Sequence, residues 1–182
     1  MPWLRPDPAR QTAEQLYAAL VAQARCPEFY SALRVPDTLD GRFELVALHM
    51  FLALRRLKLD ASAADTRQAL VDAFVDDMDA SLREMGAGDL GVGRRVKAMA
   101  QALYGRIAAY EAALAGSEQA LISALRRNVY GTAADPVPDL ATLEKLATYV
   151  RRESTVPSQD ADGLRFGPPP GRGSETGQEQ RR

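Results

Sequence analysis

The chain has 182 residues, 46% apolar and 26% charged, which suits one globular domain with a substantial buried core. Its 23 Lys and Arg stand against 24 Asp and Glu, a formal charge of −1. No global field therefore draws it toward nucleic acid or anionic lipid, and a charged partner must be met by local patches. A single cysteine, Cys26, and a single histidine, His49, exclude an internal disulfide, a Cys-rich zinc site and nearly every nucleophilic triad.

The opening "MPWLRPDPAR" has neither a basic segment followed by a long apolar core nor an Arg/Ser-rich amphipathic pattern, so the expected address is the cytoplasm. Apolar spacing is helical nearly everywhere. Asp7-Pro8 reads as an N-cap and first helical residue, opening a helix over about 8–25 whose inner face is Leu16, Leu20 and Ala24, with Tyr17 and Val21 beside it. Cys26 is expected to pack as a small buried hydrophobe. Pro27 starts a short helix, "PEFYSAL", and the turn-rich "VPDTLDG" follows, with Asp40 as the expected cap of the third helix.

That helix, about 41–58, is apolar on nearly all sides, which marks a central core helix or a membrane span. A span needs about 20 residues with few charges. Here the uninterrupted apolar run is only Met50–Leu54 once Glu44, His49 and Arg55 are counted. It is read as a core helix whose solvent end is marked by Arg55, Arg56 and Lys58. Ser62, with Asp65 three residues on, is the expected cap of a fourth helix. Val71, Val75, Met78, Leu82 and Met85 would form its core seam.

"GAGDLGVG", residues 86–93, follows a helix and lacks a phosphate-loop ending, so it reads as a helix C-cap at Gly86 and an interhelical turn. A fifth helix over about 94–115 carries Val96, Met99, Leu103, Ile107, Tyr110 and Leu114. Gly116 ends it and Ser117 caps a sixth, with Leu121, Ile122, Leu125 and Val129 inward. A seventh runs over about 139–152. The expected fold is all-α: one domain of six or seven helices over residues 8–153. Residues 154–182, with five Gly and four Pro, lack the apolar surface to offset the entropy of ordering and read as a mostly disordered, flexible tail.

His49 could in principle hold a haem iron, but no second ligand is spaced with it. Glu44 lies five residues away, off the shared face, so the paired Glu-x-x-His pattern of di-iron bundles is absent. It reads first as a core or interface histidine, with haem binding or delivery as the alternative. The acidic residues Asp72, Asp76, Asp77 and Asp79 lie late in the fourth helix, and Arg94, Arg95 and Lys97 early in the fifth. Each set opposes the helix dipole. An antiparallel hairpin around the glycine turn would bring them face to face. The basic clusters are short and spread over four helices, which gives no specific nucleic-acid footprint.

Two long stretches, "RCPEFYSALRVPDTLDGRFELVALHMFLALRRL" (25–57) and "FVDDMDASLREMGAGDLGVGRRVKAMAQALYGRIAAYEAAL" (74–114), resemble the signatures of the ubiquinol–cytochrome c chaperone family. "LRRNVYG", "LATYVRR" and "GLRFGPPP" continue the resemblance. It implies a non-catalytic helical assembly factor for the respiratory cytochrome bc1 complex, with no cofactor. Its client would be newly made cytochrome b, met near the ribosome, with a small helper protein and peripheral contact at the inner membrane surface. The mitochondrial relatives act in the matrix. The family brings no catalytic residues. Candidate partner contacts within its motifs are Asp37, Asp40, Arg42 and His49 in the first and Asp76, Asp79, Arg83, Glu84, Asp89, Arg95 and Lys97 in the second, followed by Tyr104 and Arg106. Gly41, Gly91 and Gly105 would serve backbone clearance.

Overall fold

The computed structural model describes residues 7–86, 88–131, 138–156 and 165–171; the side chains of Asp89 and Leu90 lie outside that description. It contains seven α-helices among the described residues: α1 (Pro8–Ala24), α2 (Pro27–Ser31), α3 (Leu39–Lys58), α4 (Ala64–Glu84), α5 (Asp89–Ala115), α6 (Glu118–Leu125) and α7 (Leu140–Thr155). A 3₁₀ turn, Ala61–Ala63, precedes α4, and a π-turn, Arg126–Tyr130, extends α6. The all-α bundle is the one the periodicity predicts.

α3 is the axis of the bundle. One of its faces, Leu45, Leu48, Phe51 and Leu52, joins a core built with α2, α6, the π-turn and α7. The opposite face, Ala47, Met50, Ala53 and Leu57, joins a second core with α1 and α4. A helix buried from two sides must be apolar from two sides, which is why the sequence shows no polar face there. No described helix is long and apolar enough to cross a membrane.

Local signals place most boundaries. Asp7 accepts a hydrogen bond from the Ala9 N–H (3.0 Å), Ser117 from Ala120 (3.2 Å) and Asp139 from Thr142 (2.8 Å). Two caps differ from expectation. Thr38, not Asp40, caps α3 by accepting from the Gly41 N–H (3.1 Å), which leaves Asp40 in the first turn, where the dipole favours it. Asp60, not Ser62, accepts the first N–H at the start of the fourth helical segment, and Ser62 donates its hydroxyl to the same carboxylate (2.6 Å). That bond organises the 3₁₀ turn, so α4 begins later.

Three packing expectations also shift. The buried seam of α4 is Leu70, Phe74, Met78 and Leu82, while Met85 is 55% exposed. The expected seam lay one position too far round at its start, because Val71 and Val75 flank the true stripe. Cys26 is only partly buried, at the junction of α1 and α2, with its Sγ 3.8 Å from the Ala22 carbonyl. Arg56 is not at a solvent end: it is 1% exposed, beneath α7.

Of the expected tail, residues 165–171 lie against the body; 157–164 and 172–182 lie outside the described residues, as does 132–137 of the loop before α7.

Candidate functional site

An open groove of about 1460 Å³ lies between the N-terminal half of α3, the end of α4, the middle of α5 and the π-turn. Small-ligand pockets run to roughly 300–1,000 Å³, so this volume suits a polypeptide better. α5 presents Arg95, Ala98, Met99, Ala102 and Arg106 to it. These are positions i, i+3, i+4, i+7 and i+11, a single helical stripe about 16 Å long. The two alanines keep the stripe low, so the groove stays open between its larger flanks. α4 adds Met78, Leu82 and Met85, and α3 adds Leu39 and Phe43. Leu39 is 67% exposed. Met78 and Leu82 belong to the buried core beneath, while the exposed Met85 and Leu39 and the half-buried Met99 give the groove a flexible, polarisable apolar surface able to accommodate varied apolar partners.

Charge frames this apolar floor. Arg106 donates twice to Glu44, Nε to Oε2 at 3.0 Å and Nη2 to Oε1 at 2.5 Å. This is the planar two-bond geometry that fixes an arginine in place. Arg42 Nε donates to Asp37 Oδ1 (2.7 Å), which holds the Asp37 carboxyl below the usual range. That pair is exposed, so solvent screens it and it contributes little to stability. Gly41 lies at the bend between them: a Cβ there would stand 2.0 Å from the Pro36 carbonyl oxygen, so the loop closes onto α3 only through a glycine. The clearance expected of Gly91 and Gly105 is not found, since a Cβ at either meets nothing within 4 Å.

The groove thus gathers Asp37, Asp40, Arg42, Arg95 and Arg106 of the candidate contacts. Asp76, Asp79, Arg83, Glu84, Lys97 and the 56%-exposed Tyr104 lie on the surface outside it. Asp89 starts α5. Among the described residues no ion pair joins the acidic set of α4 to the basic start of α5, although Asp77 and Arg95 line the same groove. Instead Asp77 accepts a hydrogen bond from the Tyr17 hydroxyl of α1 (2.7 Å), Asp72 from Gln68 (2.9 Å) and Asp79 from Arg83 (2.5 Å). Arg10 of α1 feels the fields of Asp76 and Asp72. The physical reason is that α1 packs along α4 and supplies the Tyr17 donor, while Gln68 and Arg83 donate from within α4 itself. Burial and the Asp77 carboxylate together push the Tyr17 hydroxyl up.

His49, read first as a core histidine and also named among the candidate contacts, is fully buried, as the core reading expects. Its Nδ1 lies 2.7 Å from the Leu45 carbonyl, which can only accept, so Nδ1 carries the hydrogen. Nε2 then accepts from the Tyr149 hydroxyl at 2.9 Å, and that oxygen accepts from Gln23 Nε2 at 3.1 Å. Burial, the dominant cause, depresses the imidazole pKa to about 4. Neutral and doubly bonded, the ring has no free nitrogen for a haem iron in this arrangement. No group of three or more His, Cys, Asp or Glu among the described residues could hold a metal ion.

Sequence reasoning missed Glu44, Met85, Met99 and the Arg56–Glu153 pair. The last was visible in principle: Leu45, His49, Leu52 and Arg56 occupy one helical face, and Glu153 follows Tyr149 by four residues. In the structure Arg56 and Glu153 form a buried ion pair, with Arg56 Nε also donating to the Glu153 carbonyl (2.6 Å).

Comparison with known proteins agrees with this architecture. The model of the family described as ubiquinol-cytochrome C chaperone matches residues 31–169. Ubiquinol-cytochrome-c reductase complex assembly factor 1 of Xenopus laevis is 26% identical over 142 residues, which cover 78% of this chain and 70% of that protein. The Homo sapiens counterpart is 24% identical over 142 residues, covering 78% of this chain but 46% of its own length. The chain therefore spans about half of the mammalian relative. The crystal structure of the Cbp3 homolog from Brucella abortus matches with a TM-score of 0.66 and 40% identity, covering 79% of this chain and 78% of that one.

Proposed function

We propose that this chain, which belongs to the ubiquinol–cytochrome c chaperone family, is a non-catalytic assembly factor for ubiquinol–cytochrome c reductase that holds newly made cytochrome b in its Met-lined groove. The observation that carries the reading is the pairing of family membership with an open apolar groove framed by Arg42, Arg95 and Arg106. A membrane protein awaiting its cofactors and partner subunits exposes apolar helices with polar ends. Flexible methionines adapt to the first and fixed arginines to carbonyl-rich helix ends, where the dipole leaves negative charge. The role fits a chain acting at the membrane surface, beside the ribosome and with a small helper protein.

Deletion in a host that makes the reductase tests this. Haem-loaded cytochrome b and quinol–cytochrome c reductase activity should fall together, and Met85→Asp should reproduce the loss with the protein still folded. Normal levels of both after deletion would sink the proposal.

A further inference from the structure

We propose that the surface formed by α1, α3 and α7 is a peptide-acceptor site for an extended aromatic-Gly-Pro-Pro segment, filled in this structure by the chain's own residues 165–171. The site is independent of the groove and of the client reading above.

The receptor side is built without the peptide. Arg56 and Glu153 hold each other across α3 and α7, and Arg152 Nε donates to Glu153 Oε1 (2.8 Å). Gln23, Tyr149 and His49 form the hydrogen-bonded chain already described, from α1 through α7 to α3. With residues 165–171 in place, Arg56, Glu153, His49 and Tyr149 are each at most 1% exposed; the bonds among the body's own side chains are what orient the acceptor groups.

The ligand side behaves as a bound peptide. Among the described residues, the backbone of 165–171 bonds to side chains of the body and to no other backbone group. Arg56 Nη1 donates to the Arg165 carbonyl (3.0 Å), Gln23 Nε2 to that of Gly167 (2.9 Å) and Arg152 Nη2 to that of Pro168 (2.8 Å). The Gly167 N–H donates to Glu153 Oε2 (3.2 Å). Main-chain bonds of this kind supply affinity, while side-chain pockets supply selectivity.

Selectivity is legible residue by residue. The Phe166 ring packs edge-on to His49, centroids 5.1 Å apart, and lies under the Arg56 guanidinium at 4.8 Å, a cation–π contact in a desolvated setting. A Cβ at Gly167 would come within 2.8 Å of both Arg152 Nη2 and Glu153 Oε1, so a larger residue forces the clamp apart. Pro168, Pro169 and Pro170 need no backbone donor partner and arrive already extended, which lowers the entropy lost on binding. Pro169 is buried. Gly171 turns at φ +103°, where a Cβ would stand 2.5 Å from that of Ala32.

The test uses the full chain with a protease recognition sequence placed between residues 156 and 165, cut after folding. The tail fragment is expected to co-elute with the body on gel filtration. A synthetic peptide of residues 163–171 should displace it saturably, with circular dichroism unchanged. Peptides carrying Phe166→Ala or Gly167→Ala should compete at least about tenfold more weakly. Immediate separation of the fragment from a folded body would overturn the proposal. So would competition indifferent to Phe166 and Gly167, or a body that unfolds on losing the fragment and is not restored by the peptide.

Discussion

The two ends of α3 carry comparable numbers of charged side chains and use them in opposite ways. Around His49 and Arg56 every named polar group is matched: the ion pair is buried, both imidazole nitrogens are bonded, and residues 165–171 cover what remains. Around Asp37 and Arg42 the ion pair sits exposed at the rim of an open groove, with Met85 and Leu39 exposed in the same groove. A closed polar site is costly to disturb because a group left unpaired inside the protein keeps its desolvation penalty. An open one tolerates change, since water replaces any lost partner. The first region therefore stabilises the bundle, and the second is free to meet something else.

The contrast makes its largest prediction at Arg56. Arg56→Ala leaves Glu153 buried without its partner and should lower stability by about 3–5 kcal/mol in urea unfolding. Arg42→Ala, at the groove rim, should leave the unfolding midpoint close to that of the parent. Equal losses would erase the distinction between the regions.

Acid provides the next test. The His49 pKa is about 4 in the folded chain against an ordinary 6.5. Between these values the unfolded chain takes up a proton that the folded one refuses. The resulting contribution is fully present above pH 6.5 and is lost as pH falls through 4, amounting to about 3 kcal/mol. His49→Asn, which keeps an N–H for the Leu45 carbonyl, should remove that part of the pH dependence. An unchanged pH profile in the variant would show that the imidazole is not the titrating group.

Gly41→Ala comes third. The added methyl meets the Pro36 carbonyl, and backbone must move, so a loss of about 2–3 kcal/mol is expected in thermal or urea unfolding. The smallest stability effects belong to the groove surface. Met85→Ala and Tyr104→Ala should each stay within about 0.5 kcal/mol of the parent. Only Met85→Ala, inside the groove, should reduce the yield of assembled reductase. Equal yields from the two variants would detach the groove from that role.

Helix order was legible because each helix has an apolar stripe and most begin at a readable cap, as at Asp7, Ser117 and Asp139. What a stripe cannot tell is which neighbour it meets. Asp72, Asp76 and Asp79 share a face on any helical wheel, yet the wheel does not show that α1 packs along α4, where Tyr17 donates to Asp77 and Arg10 lies in the field of Asp76 and Asp72. Arg56 was misread for a related reason: a charged residue in a last helical turn ordinarily faces water, and its burial depends on Glu153, 97 positions away. Residues 165–171 contribute one aromatic side chain, too little for composition alone to show docking; their order depends on a receptor assembled from three helices. In the groove, Asp37, Asp40, Arg42, Arg95 and Arg106 were found through motif resemblance. Met85 and Met99 were noted only as core, since spacing alone does not separate a buried stripe from an uncovered one.

The most direct measurement is site-specific photocrosslinking in a cell producing the reductase, with the photoreactive residue at Met85 in the groove or at the exposed Leu59 at the far end of α3. Crosslinks to newly made cytochrome b from position 85 and none from position 59 are the expected result. Crosslinks from position 59 alone, or none from position 85 while the reductase still assembles, would contradict the assignment of the groove as the client site.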